Sequence, residues 1–412
     1  MDRRRAPGAG RSVLAVGVGV ALALTAGACA SESKSSLVVE GSWERIDKWE
    51  QRASFDFDQV AAGNGVDAVA WLNRSASDAD RLSYWEIRDG GDPTDVELPS
   101  PDGPVLIPVA VAVDRDGWSA VAVTRDQPQG ANTGLLAWHG ESGLDATDEV
   151  EPGQPLTPPA EVTAPPASVS TGRSDDVLVV AALYDGEPVL WWRSGDDDAW
   201  QSGVDGEDLG FGSQADLASL RVVGDGERLV LAAVTEEGAP HLWTSEDGGE
   251  WEAVGSDELP EAAGAVGLLA PLDAGSVAIG WLSDEDSVPW NATAATIQRL
   301  TGDDLVDEGT IEAQSADEVE RLHLTSATLS PDDRLVVVGG ALRPDSDRTP
   351  MAWVAAGESG ADGWEPTTQE ELTGHLDHEF RAIVSTDDDR MVAVASALSH
   401  PDVESWQWRP ED

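Results

Sequence analysis

Residues 41–50 read GSWERIDKWE, a β-strand with no partner nearby: an export-type segment precedes it and no hairpin signal joins it to the residues after it. The identity of its pairing partner decides the architecture, and both the upstream and the downstream sequence bear on it.

Upstream, MDRRRAPGAGRSVLAVGVGVALALTAGAC carries arginines at 3, 4, 5 and 11 and then an apolar run from Val13 to about Ala28. That run is short for a membrane span and suits a signal peptide. It ends at Cys29, the only cysteine, so no internal disulfide exists and the thiol needs another explanation. Thr25, Ala26, Gly27, Ala28 and Cys29 resemble the lipobox of bacterial lipoproteins. The resemblance implies a signal peptide over 1–28, lipid attachment at Cys29, a tether over 29–36 and an extracytoplasmic chain held to the outer face of the cell membrane. Ala26 stands where leucine is commonest in that family, and Ala26-Gly27-Ala28 also suits an ordinary signal peptidase. The tether residues ASESKSS span at most roughly 25 Å, which sets whatever the 41–50 strand joins close to the membrane.

Downstream the chain repeats itself. Apolar runs recur as VDAVAWL (66–72), WSAVAVT (118–124), VLVVAAL (177–183), RLVLAAV (228–234), SVAIGWL (276–282), RLVVVGGAL (334–342) and RMVAVASAL (390–398). Most come after a tight-turn signal such as Asn64-Gly65, Asp116-Gly117 or Asp225-Gly226, with a further apolar strand before the turn, so each copy contains a hairpin. A third strand comes next, with Trp85, Trp138, Trp192, Trp243, Trp353 and Trp406 in one column and Ile297 in the remaining copy. That column accounts for much of the bias toward 17 Trp against 2 Tyr and 4 Phe.

After the column, RSGDDDAW (193–200) and TSEDGGEW (244–251) share Ser-x-Asp-x-[Asp/Gly]-x-Trp through Ser194, Asp196, Trp200 and Ser245, Asp247, Trp251. These resemble shortened Asp boxes, the BNR-like turns between outer strands of sialidase-like propeller blades. The resemblance implies a fold and a structural role for those residues, since such turns occur in sialidases and in many non-enzymes. Copies of roughly 48 to 60 residues with up to four strands match propeller blades and exceed a β-helix coil. The expectation is an all-β, seven-bladed β-propeller of four-stranded antiparallel blades over 37–412, with six or eight blades as alternatives.

The seventh copy, about 378–409, has three strands and then stops. Gly41-Ser42-Trp43-Glu44 aligns with Gly249-Glu250-Trp251-Glu252 and with Gly363-Trp364-Glu365, so the strand at about 40–47 supplies the missing outer strand and closes the ring.

Loops between second and third strands are the longer ones and share a rim with the connections between blades. On that rim Arg74, Arg125, Tyr184, Trp281, Trp290, Arg343 and Arg348 are ligand-face candidates, against the plainer reading that Trp281 packs between blades and the arginines pair with surface acids. Asp78 and Asp80, Asp284 and Asp286, and Asp345 and Asp347 form Asp-x-Asp pairs of the kind that serve calcium. None completes D-x-D-x-D-G, so no metal or other cofactor is assigned and calcium stays an alternative. His375 and His378, beside Glu379 and with His323 on the preceding copy, make a weak zinc pattern.

The 78 acidic against 25 basic side chains repel polyanions, which excludes nucleic acid as a partner. No G-x-S-x-G, HExxH or P-loop is present, and with Tyr84 and Tyr184 as the only tyrosines a sialidase site is not expected. The function read from the sequence is a monomeric, lipid-anchored binding module for a protein or envelope glycan. An envelope carbohydrate hydrolase and a cation-dependent adhesin are the alternatives.

Overall fold

The computed structural model describes residues 41–410 except 51–59, 63–67, 75–79, 88–91, 100–104, 115–116, 126–131, 142–148, 159–164, 175–176, 196–198, 212–215, 256, 274, 284–291, 314–320, 343–347, 357–362, 368–377, 387–389 and 398–401. Strand β1 (Gly41–Glu50) comes first. Blade 1 is β2 (Val60–Ala62), β3 (Ala68–Arg74), β4 (Asp80–Glu86) and β5 (Thr94–Glu97). Blade 2 is β6 (Val105–Val113), β7 (Gly117–Arg125), β8 (Asn132–Glu141) and β9 (Gln154–Leu156), and blade 3 is β10 (Ser168–Ser174), β11 (Val177–Tyr184), β12 (Glu187–Ser194) and β13 (Gln201–Val204). Blade 4 is β14 (Leu217–Gly224), β15 (Leu229–Thr235), β16 (Pro240–Ser245) and β17 (Glu252–Ala253). Blade 5 is β18 (Ala265–Asp273), β19 (Ser276–Leu282), β20 (Ala294–Thr301) and β21 (Asp304–Glu312), and blade 6 is β22 (Arg321–Leu329), β23 (Leu335–Leu342), β24 (Arg348–Ala355) and β25 (Trp364–Thr367). Blade 7 is β26 (His378–Ser385), β27 (Met391–Ala397) and β28 (Asp402–Pro410), completed by β1.

The protein is a seven-bladed β-propeller: seven four-stranded antiparallel sheets in a ring, whose first strands touch one another all the way round. The ring closes as the repeat requires. β1 pairs with β28 from Gly41↔Pro410 to Glu50↔Asp402, a longer ladder than the sequence indicates, with one bulge between Arg45 and Asp47 that leaves Ile46 48% exposed. Full closure removes the edges that an open sheet would leave for aggregation.

The core consists of seams rather than a centre. Seven clusters of buried side chains each join two neighbouring blades. Second strands such as VLVVAALY (177–184) are buried at every residue, because both faces of the sheet are covered by other blades. Near the axis the wedge-shaped blades converge until backbones touch. A Cβ on Gly224 would overlap the carbonyl of Arg173 on the neighbouring first strand, so that position admits only glycine.

The tryptophan column faces the preceding blade: Trp85, Trp138, Trp243, Trp353 and Trp406 all lie in the seam on that side. In two blades the column sits one residue from where the alignment sets it. Blade 3 uses Trp191, whose Nε1 donates to the Thr157 carbonyl at 3.1 Å, while Trp192 turns toward blade 4. Blade 5 uses Gln298, which donates to the Glu258 carbonyl at 2.8 Å, while Ile297 turns toward blade 6. Trp138 makes the corresponding bond to the Pro99 carbonyl at 3.0 Å, so at these three positions the column aims an N–H donor at the outer edge of the blade before.

Candidate functional site

The strand order fixes two ends of the ring. Turns between first and second strands, and between third and fourth, lie at one end, here the turn end. Loops between second and third strands, and the connections between blades, lie at the other, the loop end. Gly41 pairs with Pro410, so β1 begins at the turn end.

Of the rim candidates, Trp290, Arg343 and the acids Asp78, Asp284, Asp286, Asp345 and Asp347 lie outside the described residues, as does Asp196 of the first Ser-x-Asp turn. Arg74 and Arg125 end β3 and β7, while Asp80 and Arg348 begin β4 and β24; this sets all four backbones at the loop end, with their side chains outside the described set. Tyr184 is 3% exposed and meets Trp191 edge-on at 6.4 Å, and burial pushes its phenol up to about 12. The loop after it is a two-residue hairpin turn in which Asp185 and Gly186 both have positive φ, as a type I′ turn demands. Trp281 is 1% exposed and donates to Gln298 Oε1 at 2.9 Å. Both rings thus pack in seams rather than face solvent.

A cavity of about 110 Å³ opens where the first strands converge, lined from six blades by apolar groups such as Val111 and Leu269 and by Thr171, Arg173, Arg221, His323 and Ser326. None of its described lining residues is acidic. Its hydroxyls are engaged in joining blades. Ser170 Oγ donates to the Val222 carbonyl and accepts the Val222 N–H, both at 3.0 Å, and Ser326 Oγ accepts the Ile383 N–H at 3.3 Å. Ser219 does the same for Val266, and Ser119 meets Thr171 at 3.1 Å.

Two of the charged or titratable groups lining the cavity, Arg173 and His323, are paired across blades. Arg173 Nε lies 3.0 Å from Asp114 Oδ1. His323 Nδ1 contacts Glu379 Oε1, and the other oxygen of Glu379 is 3.3 Å from Arg381 Nη1, all three groups being buried. The sequence association of His323 with Glu379 is therefore a direct contact, made because His323 sits on β22 facing the next first strand, β26. His375 and the side chain of His378 lie outside the described residues. Among the described residues no three His, Cys, Asp or Glu side chains converge as a metal set.

Glu246–Glu250 form a tight turn between β16 and β17. Asp247 Oδ1 accepts the N–H groups of Gly249 at 2.8 Å and Glu250 at 2.9 Å, Gly248 at φ 76° donates to Ser245 Oγ, and Trp251 Nε1 donates to the Gly248 carbonyl at 3.0 Å. The Glu250 N–H in particular holds the Asp247 carboxyl below the usual aspartate range. Trp251 packs on the seam with blade 3, and Trp200 and Trp364 pack on the seams before theirs.

A second polar group does not stand out in the sequence: His139, Gln154, Arg173 and Arg193 face one another across the seam of blades 2 and 3 at the turn end. The one signal for it is position, since His139 directly succeeds the column Trp138 and Arg193 lies two residues after Trp191.

A closed all-β ring of this kind belongs to the class of propeller proteins, in which the scaffold is rigid and loops carry recognition. No family model and no curated protein sequence matches this chain. Among solved structures it is similar to a chain of the mitotic checkpoint complex at 13% identity, covering 90% of this chain and 96% of that one with a TM-score of 0.50. The BP39L lectin from Burkholderia pseudomallei aligns at 13% identity over 88% of this chain and 99% of that one, TM-score 0.47. Trypanosoma rangeli sialidase aligns at 12% identity over 74% of this chain and 57% of that one, TM-score 0.42. At these identities the likeness is one of fold.

Proposed function

We propose that this chain is a lipid-anchored propeller of the bacterial cell envelope that recognises a protein or an envelope glycan at its loop end. The observation that carries the reading is the end at which β1 begins. Its first residue, Gly41, lies beside Pro410 at the turn end, opposite the long loops, which supports taking the loop end as the surface left for recognition. Arg74, Arg125 and Arg348 have their backbones at the loop end, where guanidinium groups suit carboxylate and hydroxyl groups of glycans or acidic protein surfaces. The hydrogen bonding of Ser245, Asp247 and Trp251 within one turn supports the Asp-box reading, with Trp251 packed against the blade before.

Two measurements test this. Cys29→Ala should move the chain from the membrane fraction to the medium, and its unchanged retention in the membrane would remove the anchor. Immobilised full-length chain should retain envelope glycan or protein fragments, with retention reduced in the Arg74→Ala/Arg348→Ala variant. Equal capture by wild type and variant would remove the loop end as the recognition surface.

A further inference from the structure

Arg193, near the end of β12, has no carboxylate partner among the described residues. Its Nη1 lies 2.5 Å from Nε2 of His139 and 3.5 Å from Oε1 of Gln154, and these are its side-chain polar contacts among the described residues. With 78 acidic side chains in the chain, a guanidinium set against a second basic group is a costly arrangement unless something else completes it. An arginine only donates, so Nε2 of His139 must be unprotonated and the ring proton must sit on Nδ1.

The register explains how the cations assemble. Arg173, Leu178 and Arg193 are directly opposed across β10, β11 and β12, so both arginines project from the same face of blade 3 toward blade 2. From blade 2 come His139 on β8, Gln154 at the start of β9 and Asp114 at the end of β6, the last 3.0 Å from Arg173. Burial, then Arg193 and Arg173, hold His139 below the ordinary histidine range, and Glu151 opposes them. Asp114 is engaged by Arg173, and among the described residues Glu151 is the acidic group that acts on His139.

We infer that the turn end of the seam between blades 2 and 3 is an oxyanion site, in which the fork of Arg193 and the imidazole of His139, with Gln154 beside them, hold a phosphate- or carboxylate-type group. Arg193 offers paired N–H donors in the geometry that such groups accept. When an anion binds beside them, His139 takes up a proton on Nε2, gives up the hydrogen bond it accepted from Arg193, and both groups become donors to the same ligand. Binding therefore consumes a proton and strengthens as pH falls through the histidine range. The site lies at the opposite end from the recognition loops, and it stands whether or not the chain is lipidated.

The test is calorimetric titration of the full-length chain with inorganic phosphate and with sodium acetate, at about pH 5.5 and about pH 8, with sodium chloride at matched ionic strength as reference. One saturable site for phosphate or acetate is expected, tighter at the lower pH, and the preferred anion identifies the group. Arg193→Gln should weaken it about tenfold or more, Arg193→Lys less, because the lysine keeps the charge and loses the fork. His139→Gln should remove the pH dependence of acetate binding, because acetate is largely ionised at both pH values whereas phosphate itself titrates between them. Folding of each variant is checked by its melting curve. Heats indistinguishable from chloride, or an unaltered affinity in folded Arg193→Gln and Arg193→Lys, overturn the site.

Discussion

The indole of Trp43 packs edge-on against that of Trp408, ring centroids 5.4 Å apart, and meets Phe380 at 5.1 Å on its other side, although Trp43 and Trp408 belong to opposite ends of the chain. The two tryptophans are direct partners in the β1–β28 ladder, and both lie in the seam between blades 6 and 7. Closure therefore rests on side-chain burial as well as on backbone pairing.

Trp43→Ala removes a side chain that is 2% exposed and leaves a cavity among Phe380, Trp406 and Trp408. It should cost about 3–5 kcal/mol, read as a lower urea midpoint, and the loss should appear across the whole ring because every blade relies on two seams. Ile46→Ala, close by in the same strand but 48% exposed, should stay within about 0.5 kcal/mol of wild type. If Trp43→Ala unfolds at the wild-type midpoint, the closing strand contributes nothing to stability.

The repeat, the blade count and the closure were legible because their signals are local: a tight turn, an apolar run and a tryptophan at fixed spacing. The faces of individual residues were not. Trp191 and Trp192 are adjacent, and only the pairing with β11 decides which one turns to the preceding blade, since a slip of one residue inverts a strand. Gln298 replaces an indole for a reason visible only across the seam, where the Glu258 carbonyl awaits a donor. Buried Glu379 reads in sequence as part of a polar connection, because its partners His323 and Arg381 sit on a neighbouring blade and at the bulge of its own strand. The Arg193–His139 group was hidden for the same reason, being assembled from two blades that a linear reading treats separately.

Gln298 is a relay: it accepts from Trp281 Nε1 at 2.9 Å and donates to the Glu258 carbonyl at 2.8 Å. Gln298→Ala should leave a buried indole N–H and a carbonyl without partners, at about 1–3 kcal/mol for each such group. In urea denaturation, Trp281→Phe should then cost less in the Gln298→Ala background than in wild type, since the bond it deletes is already gone. Additive losses in this cycle would show that the two side chains are not coupled.

Asp247→Asn should preserve the shape of the turn and weaken the acceptor of two backbone N–H groups. Its folded carboxyl is depressed below the ordinary value, so its contribution is complete above the unfolded pKa and drains away as pH falls through the folded one. The stabilities of wild type and variant, read from their melting curves, should differ modestly at neutral pH, by less than about 1 kcal/mol for so exposed a group. They should converge below the usual aspartate range, and a gap that persists at that acidity would show that the carboxylate charge is not what the turn uses.

Glu237 and Glu246 lie just beyond opposite ends of β16, the first in the loop between second and third strands and the second in the turn between third and fourth, and both are exposed. They are therefore markers for the two ends of the ring within one blade. If the chain is attached through Cys29 and enters the ring with Gly41 at the turn end, attachment crowds Glu246 and leaves Glu237 open. With Cys29 lipidated, a cysteine introduced at either position is the only free thiol. A bulky maleimide-polyethylene glycol reagent added to intact cells should label Glu237→Cys several times faster than Glu246→Cys. After detergent release the two rates should become similar, because both positions are equally open on the ring itself. Equal rates on cells, or faster labelling of Glu246→Cys, would mean that the loops do not face outward, and recognition would then have to be sought at the turn end.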